Sequence, residues 1–153
     1  MDMEILTEHF SLEELSRTSQ KFPNVPPAEC INRLRTLCVE VLEPVRRLYG
    51  PLIITSGFRS EAVNKAVGGA KGSQHTKGMA ADFVLQSTAA SLGDAFVWMA
   101  HNLNFDQLIW EKGDNVNPSW IHVSYNSFAK NRQQILRIRF GGECEVINPK
   151  FIK

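Results

Sequence analysis

The order in which hydrophobic periodicities change along the chain constrains its fold most. Between Pro27 and Tyr49, the residues Ile31, Leu34, Cys38, Val41, Leu42, Val45 and Leu48 recur every three or four positions. That spacing places side chains on one face of a long α-helix. Further on, Ala80 to Leu85, Gln107 to Glu111 and Trp120 to Tyr125 have the length and composition of strands. Gln134 to Phe140 alternates Ile135, Leu136, Ile138 and Phe140 with Arg137 and Arg139, as a half-exposed strand does. Helical patterns come mostly first and strand patterns mostly later. This order predicts an α+β fold with a small antiparallel sheet flanked by helices, rather than a doubly wound parallel sheet.

The punctuation between these segments is local chemistry. Ser11 and Glu14 have capping-box spacing and predict a helix from Ser11 to about Thr18, with Leu12 and Leu15 inward and Phe10 as its staple. The stretch KFPNVPP (residues 21–27) resists both helix and interior strand. Pro44 is expected to kink the long helix, and Gly50-Pro51 to stop it. A short strand is expected at Leu52 to Thr55, a small helix at Ser60 to Val67, a loop at Ala70 to Gly78 and a helix over about Ala89 to Leu103.

At 153 residues, 43% hydrophobic, the chain has the size of one domain with a core that needs no disulfide staples. Its 17 basic and 16 acidic residues argue against nucleic-acid binding by bulk charge. No apolar run approaches the roughly 20 residues of a membrane span. The acidic start, MDMEILTEHF, lacks the basic and apolar parts of a secretory signal. The three cysteines, Cys30, Cys38 and Cys144, show no CxxC spacing. Cys30 and Cys38 lie about 12 Å apart by helix rise, too far for a disulfide, so all three read as small buried or semi-buried hydrophobes in a reducing compartment. Lys130 to Lys153 holds six basic and two acidic residues. That excess reads as a protected strand edge, with contact to an anionic polymer such as a cell wall as the alternative.

The chemistry concentrates in residues 56–83, SGFRSEAVNKAVGGAKGSQHTKGMAADF, and in the later run Trp120-Ile121-His122-Val123-Ser124. Asp82 stands in an otherwise apolar strand, where burying a carboxylate without a cation is costly. His75 precedes it by a glycine-containing loop, and His122 lies mid-strand on the face shared with Trp120 and Ser124. Two adjacent strands presenting Asp82 and His122, with the loop folding His75 over them, supply three ligands suited to zinc and leave a fourth position open. His9 and His101 read as ordinary surface or hydrogen-bonded histidines.

The pattern S-G-x-R-S, then S-x-H-x-x-G-x-A-x-D, then W-x-H-x-S, spanning Ser56 to Ser124, resembles the zinc D-alanyl-D-alanine peptidases. That family includes D-Ala-D-Ala carboxypeptidases, D-Ala-D-Ala dipeptidases, phage endolysins and, more distantly, the hedgehog signalling domain. The resemblance implies a hedgehog/DD-peptidase-like fold, a Zn2+ cofactor held by His75, Asp82 and His122, and hydrolysis of a peptide bond in peptidoglycan stem peptides. Relatives place a general base shortly before the last histidine. Some branches place it three residues earlier, where this chain has Ser119, which cannot serve. Glu111, ending QLIWE, matches the hedgehog-like placement further upstream and is the base the resemblance implies, with Asp114 in the same hairpin as the fallback. Arg59 matches the arginine that polarises the substrate carbonyl, with a structural salt bridge as its other reading. Ser73 matches a substrate-binding serine or caps the loop. Gln107 is expected to donate to Asp82 or to substrate. Trp120 walls the pocket or fills the core, the latter slightly favoured.

The resemblance leaves carboxypeptidase and L-Ala-D-Glu endopeptidase activities both open. The expected setting is a phage or prophage lysin made in the bacterial cytoplasm, reaching the wall after holin-type release and acting as a monomer, with no nucleic-acid or membrane partner. The alternatives are a zinc-containing cell-wall-binding module without activity and a structural part of a phage particle.

Overall fold

Ser11 joins the first two pieces of structure in the computed structural model, which describes residues 4–148. It ends a small antiparallel hairpin, β1 (Ile5–Thr7) with β2 (Phe10–Ser11), and caps helix α1 (Leu12–Ser16). The capping box is complete. The Glu14 N–H donates to Ser11 Oγ at 3.2 Å, and the Ser11 N–H donates to the Glu14 carboxylate at 3.3 Å. The helix ends at Ser16 because Arg17 turns extended, two residues before the expected Thr18. A hairpin of such short strands leaves no periodic trace in sequence, which is why it went unexpected.

The long helix forms in three parts: α2 (Ala28–Leu37), a π-helical turn at Cys38–Leu42, and α3 (Glu43–Tyr49). Pro44 lies in the first turn of α3, where its missing N–H is tolerated, and the wide turn precedes it. The Glu43 N–H reaches back five residues to the Cys38 carbonyl. The expected kink thus takes the form of a π-bulge. Cys30, Leu34, Leu37, Cys38, Val41, Leu42 and Val45 face the core, whereas Leu48 is exposed. Gly50, at φ 83°, ends the helix.

Six strands form the main sheet: β3 (Leu52–Ser56), β4 (Ala80–Leu85), β5 (Gln107–Glu111), β6 (Trp120–Ser124), β7 (Gln134–Ile138) and β8 (Cys144–Val146). Their spatial order is β3-β4-β6-β5-β7-β8. Two helices complete the described residues: α4 (Glu61–Ala66), capped by Ser60, and α5 (Leu92–Asn102), capped by Ser91. The α+β reading holds, but the sheet is mixed, because β5 and β7 run parallel. The reason is topological. Residues 125–133 carry the chain from the end of β6 past the start of β5, so β7 begins at the same end as β5. β7 stops at Ile138, and Phe140 lies beyond it, 73% exposed, in a turn that Gly142 closes.

Strand alternation sorts the sheet's two faces. Ala81 and Phe83 of β4, Leu108 and Trp110 of β5, and Ile121 and Val123 of β6 belong to the hydrophobic core with the helical residues. The intervening residues Asp82, Ile109, Glu111 and His122 point the other way. All three cysteines are free. Cys30 and Cys38 are buried as expected, and burial pushes the Cys38 thiol up to about 12, but Cys144 is exposed on edge strand β8 rather than semi-buried. Among the described residues, no helix is long and apolar enough to cross a membrane. In the basic C-terminal stretch, Arg139 pairs with Glu145 at 3.2 Å, as a protected edge requires, while Lys150 and Lys153 lie outside the described residues.

Candidate metal centre and its cleft

The β4–β6 register sets Asp82 directly opposite His122, and His122 Nδ1 lies 2.9 Å from Asp82 Oδ1. His75 arrives from a 3-10 turn, Gln74–Lys77, in the segment expected to be loop. Ser73 caps that turn, its hydroxyl accepting the His75 N–H at 3.2 Å. The His75 Nδ1 is 2.8 Å from the Gly57 carbonyl, which can only accept, so Nδ1 carries the proton. The lone pair is left on Nε2, 3.4 Å from Asp82 Oδ1. Two glycines make this approach feasible. A Cβ on Gly57 would sit 2.2 Å from the Leu15 carbonyl oxygen. Gly78 follows the turn at φ 73°, a left-handed conformation, close against the Cys30 backbone.

Burial alone would raise the Asp82 carboxyl, but the hydrogen bond from His122 and the His75 ring beside it outweigh burial and hold the group well below the usual carboxylate range. His75 shifts the other way. Burial pushes its imidazole down, and the neighbouring Asp82 only partly restores it, so the ring is kept neutral, the form that ligates a metal. One ligand atom from each of His75, Asp82 and His122 lies within 4.8 Å of the others. Zinc bonds of about 2.0–2.1 Å imply tetrahedral edges of about 3.3–3.4 Å, close to the 2.9 and 3.4 Å measured from Asp82 Oδ1. With His75 and Asp82 buried, His122 partly so, and nitrogen and carboxylate donors facing one another, the trio fits a zinc ion.

These residues floor an open cleft of about 650 Å³ whose lining also includes Arg59, Ser73, Gln107, Glu111 and Trp120. Arg59 donates to Ser56 Oγ at 2.9 Å and to Asn64 Oδ1 at 3.3 Å, and its Nη2 lies 3.5 Å from Asp82 Oδ2. The guanidinium therefore anchors one Asp82 oxygen while the histidines face the other. Glu111, half-buried at the end of β5, lies two residues from Ile109, which pairs with His122. Burial raises its carboxyl above the ordinary value; His122 lowers it less, and Asp82 raises it further.

The structure separates the remaining expectations. Asp114 is fully exposed and outside the cleft, its carboxylate accepting the Val116 and Asn117 N–H groups at 2.8 Å each, which lowers its pKa. The side chain of Gln107 donates to Gln134 at 2.6 Å, not to Asp82. Trp120 lines the cleft rather than filling the core, with the Lys112 ammonium 5.3 Å from its ring centre. Sequence reasoning missed the ion pair of buried Asp106 with Arg132, 2.7 Å long, also in the cleft wall. Its partners are 26 positions apart, and only the β6-to-β7 crossover brings them together.

Comparison with known proteins agrees with this geometry. No curated protein matches the chain. A family model described as peptidase M15 matches residues 8–124 of the 153, from the β1–β2 hairpin to the end of β6. The match takes in His75, Asp82, His122, Arg59 and Glu111. The family is one of zinc-dependent hydrolases, and the facing histidines and carboxylate form the metal site such chemistry requires. The chain belongs to the peptidase M15 family.

Proposed function

We propose that this chain is a zinc metallopeptidase that hydrolyses a peptide bond in bacterial peptidoglycan stem peptides. The observation that carries the reading is the trio His75, Asp82 and His122 at the floor of an open cleft, with the half-buried Glu111 beside it. His75 Nε2, Asp82 Oδ1 and His122 Nδ1 are the atoms that would hold zinc, because they are the ones facing one another. Zinc supplies Lewis acidity there, acidifying a water and polarising the scissile carbonyl.

The chain's own residues perform the rest. Gly57 fixes the tautomer of His75 through its carbonyl, and Arg59 fixes the rotation of Asp82 through Oδ2. Glu111 accepts the proton of the attacking water on its carboxylate and returns it to the leaving amine. A carboxyl raised toward neutrality suits both directions of that transfer. Arg59 also borders the cleft and adds fixed positive charge where the carbonyl oxygen becomes negative. Ser73 and Trp120, on the same lining, contact the bound peptide.

A domain of this kind acts on the wall from outside the membrane. The setting we propose is a phage or prophage lysin released by a separate holin. Purified peptidoglycan digested with the zinc-loaded protein tests the reading. Mass analysis should show new free amino and carboxyl termini within stem peptides and name the bond. Intact stem peptides after prolonged digestion would overturn it.

A further inference from the structure

The cleft has a second organised polar group, at the opposite end of β5 from Glu111. Asp106 immediately precedes β5 and is 1% exposed. Its Oδ1 accepts the Arg132 backbone N–H and the Arg132 Nε, each at 3.0 Å. Its Oδ2 accepts Arg132 Nη2 at 2.7 Å and Gln74 Nε2 at 2.8 Å. The buried carboxylate is thus saturated by donors and held below its usual pKa, chiefly by the Arg132 hydrogen bonds. Its partner is not buried. The Arg132 side chain is 55% exposed, lines the cleft, and uses only one edge of its guanidinium, Nε and Nη2, on Asp106.

Locking one edge of a planar guanidinium removes most of the freedom that an exposed arginine loses on binding. The other edge, Nη1, stays out of these bonds. A rigid, always-charged fork of this kind matches a carboxylate. Gln74 ties the same carboxylate to the turn that carries His75, so the fork has a fixed relation to the candidate metal centre.

We infer that Arg132, oriented by Asp106, is a specificity-determining residue that binds a carboxylate of the peptide substrate; this rests on the peptidase reading above. Its place along the strand defines which carboxylate. His122 faces Ile109, three residues beyond Asp106, a separation of about 10 Å by strand rise. An extended peptide covers about 3.3–3.6 Å per residue. The bound carboxylate therefore belongs to a residue two or three positions from the scissile bond. It is not the terminal carboxylate of a single released residue, which lies within one position of that bond. The preferred substrate is a peptide with an acidic group set along the chain.

The test compares the stem pentapeptide L-Ala-γ-D-Glu-L-Lys-D-Ala-D-Ala with two versions, one amidated at the D-Glu α-carboxyl and one at the C-terminus. Dissociation constants are measured by calorimetry on the zinc-loaded protein carrying Glu111→Gln, and on the same protein carrying Arg132→Gln as well. Cleavage by the unaltered protein identifies the bond; cleavage between L-Ala and D-Glu, which leaves no carboxylate two or three residues away, overturns the inference. Amidating the carboxylate two or three residues from that bond should weaken binding about 10- to 100-fold, as expected for a charged hydrogen-bonded pair. With Arg132→Gln that penalty should vanish. A penalty of the same size in both proteins, or in neither, overturns the role of Arg132 while leaving the peptidase reading intact. A pentapeptide neither bound nor cleaved by the unaltered protein overturns the stem-peptide reading and this inference with it. If Arg132→Gln fails to fold because Asp106 is left buried and unpaired, Asp106→Asn with Arg132→Gln removes both charges and gives the same readout.

Discussion

Glu111 and His122 lie on the same face of adjacent strands, with Glu111 two residues along β5 from the partner of His122. The carboxyl that would move the proton is thus held beside the candidate metal centre by strand register. In the metal-free protein, burial raises the Glu111 carboxyl, so its protonated form should persist to higher pH than an ordinary glutamate's. Carboxyl NMR of the metal-free protein should place its midpoint above the usual value, and loading zinc should move it down. A midpoint at or below the ordinary value without metal would remove the basis for this assignment. Glu111→Gln should keep the metal and lose roughly 10²- to 10⁴-fold in turnover.

Asp82 contacts both histidines and Arg59, so its loss should be the most damaging to metal binding. Elemental analysis should find about one zinc per chain and a strong reduction in His75→Ala, Asp82→Ala or His122→Ala. A chelator should lower the melting temperature of the unaltered protein, because metal bound only by the folded state stabilises it by mass action. Unchanged stoichiometry in all three variants would exclude these residues as the ligands.

Gly57 offers a test of positioning without touching a ligand. A methyl group there meets the Leu15 backbone, which also accepts the Phe58 N–H. Gly57→Ala should cost about 1–3 kcal/mol of stability, the usual range for overpacking. It should also weaken zinc affinity, because the carbonyl that orients His75 is displaced. Denaturant titration and competition with a chelating dye measure the two effects separately. Unaltered zinc affinity would show that the Gly57 carbonyl does not set the His75 ring.

Far from the cleft, Glu43 is buried in α3 and accepts the backbone N–H of His9 at 3.0 Å, with the His9 ring nitrogen 2.7 Å away. Burial alone would raise its carboxyl, yet the hydrogen bonds from His9 outweigh burial and bring it below the ordinary glutamate value. A carboxyl lowered on folding stabilises the protein above its unfolded pKa, and that contribution disappears as pH falls through the folded value. Stability should therefore fall on the acid side, and Glu43→Gln should flatten that dependence while costing about 1–3 kcal/mol near neutrality. Unfolding curves between acid and neutral pH decide it. Parallel profiles for the two proteins would show that Glu43 does not carry the acid sensitivity.

The elements legible in the sequence were those whose signal is local. The Ser11–Glu14 box, the helical face through Leu34, Cys38, Val41, Leu42 and Val45, and the strands β4, β5 and β6 follow from local spacing and composition. Asp82 stood out because an acidic residue in an apolar strand demands a partner. What escaped depends on pairing between distant segments. The parallel alignment of β5 with β7 follows from the path of a crossover, not from any residue type. The committed state of Gln107, bonded to Gln134, and the meeting of Asp106 with Arg132 arise from that same crossover. Alternation already places Trp120 on the His122 face, so its position in the cleft was legible in the spacing, against the reading that favoured the core.

Because the chain rounds the open end of the cleft between β6 and β7, the machinery and the boundary of the cavity are encoded in consecutive stretches. His75, Asp82, Glu111 and His122 all precede the crossover at residues 125–133, while Asn126, Phe128 and Arg132 line the cleft from within it. Exposed positions of this segment such as Phe128 can therefore be exchanged without altering the register that sets Asp82 against His122, whereas Arg132 is tied to the buried Asp106. A fold arranged in this way lets the reactive floor stay fixed while the guest it admits is revised, one surface segment at a time.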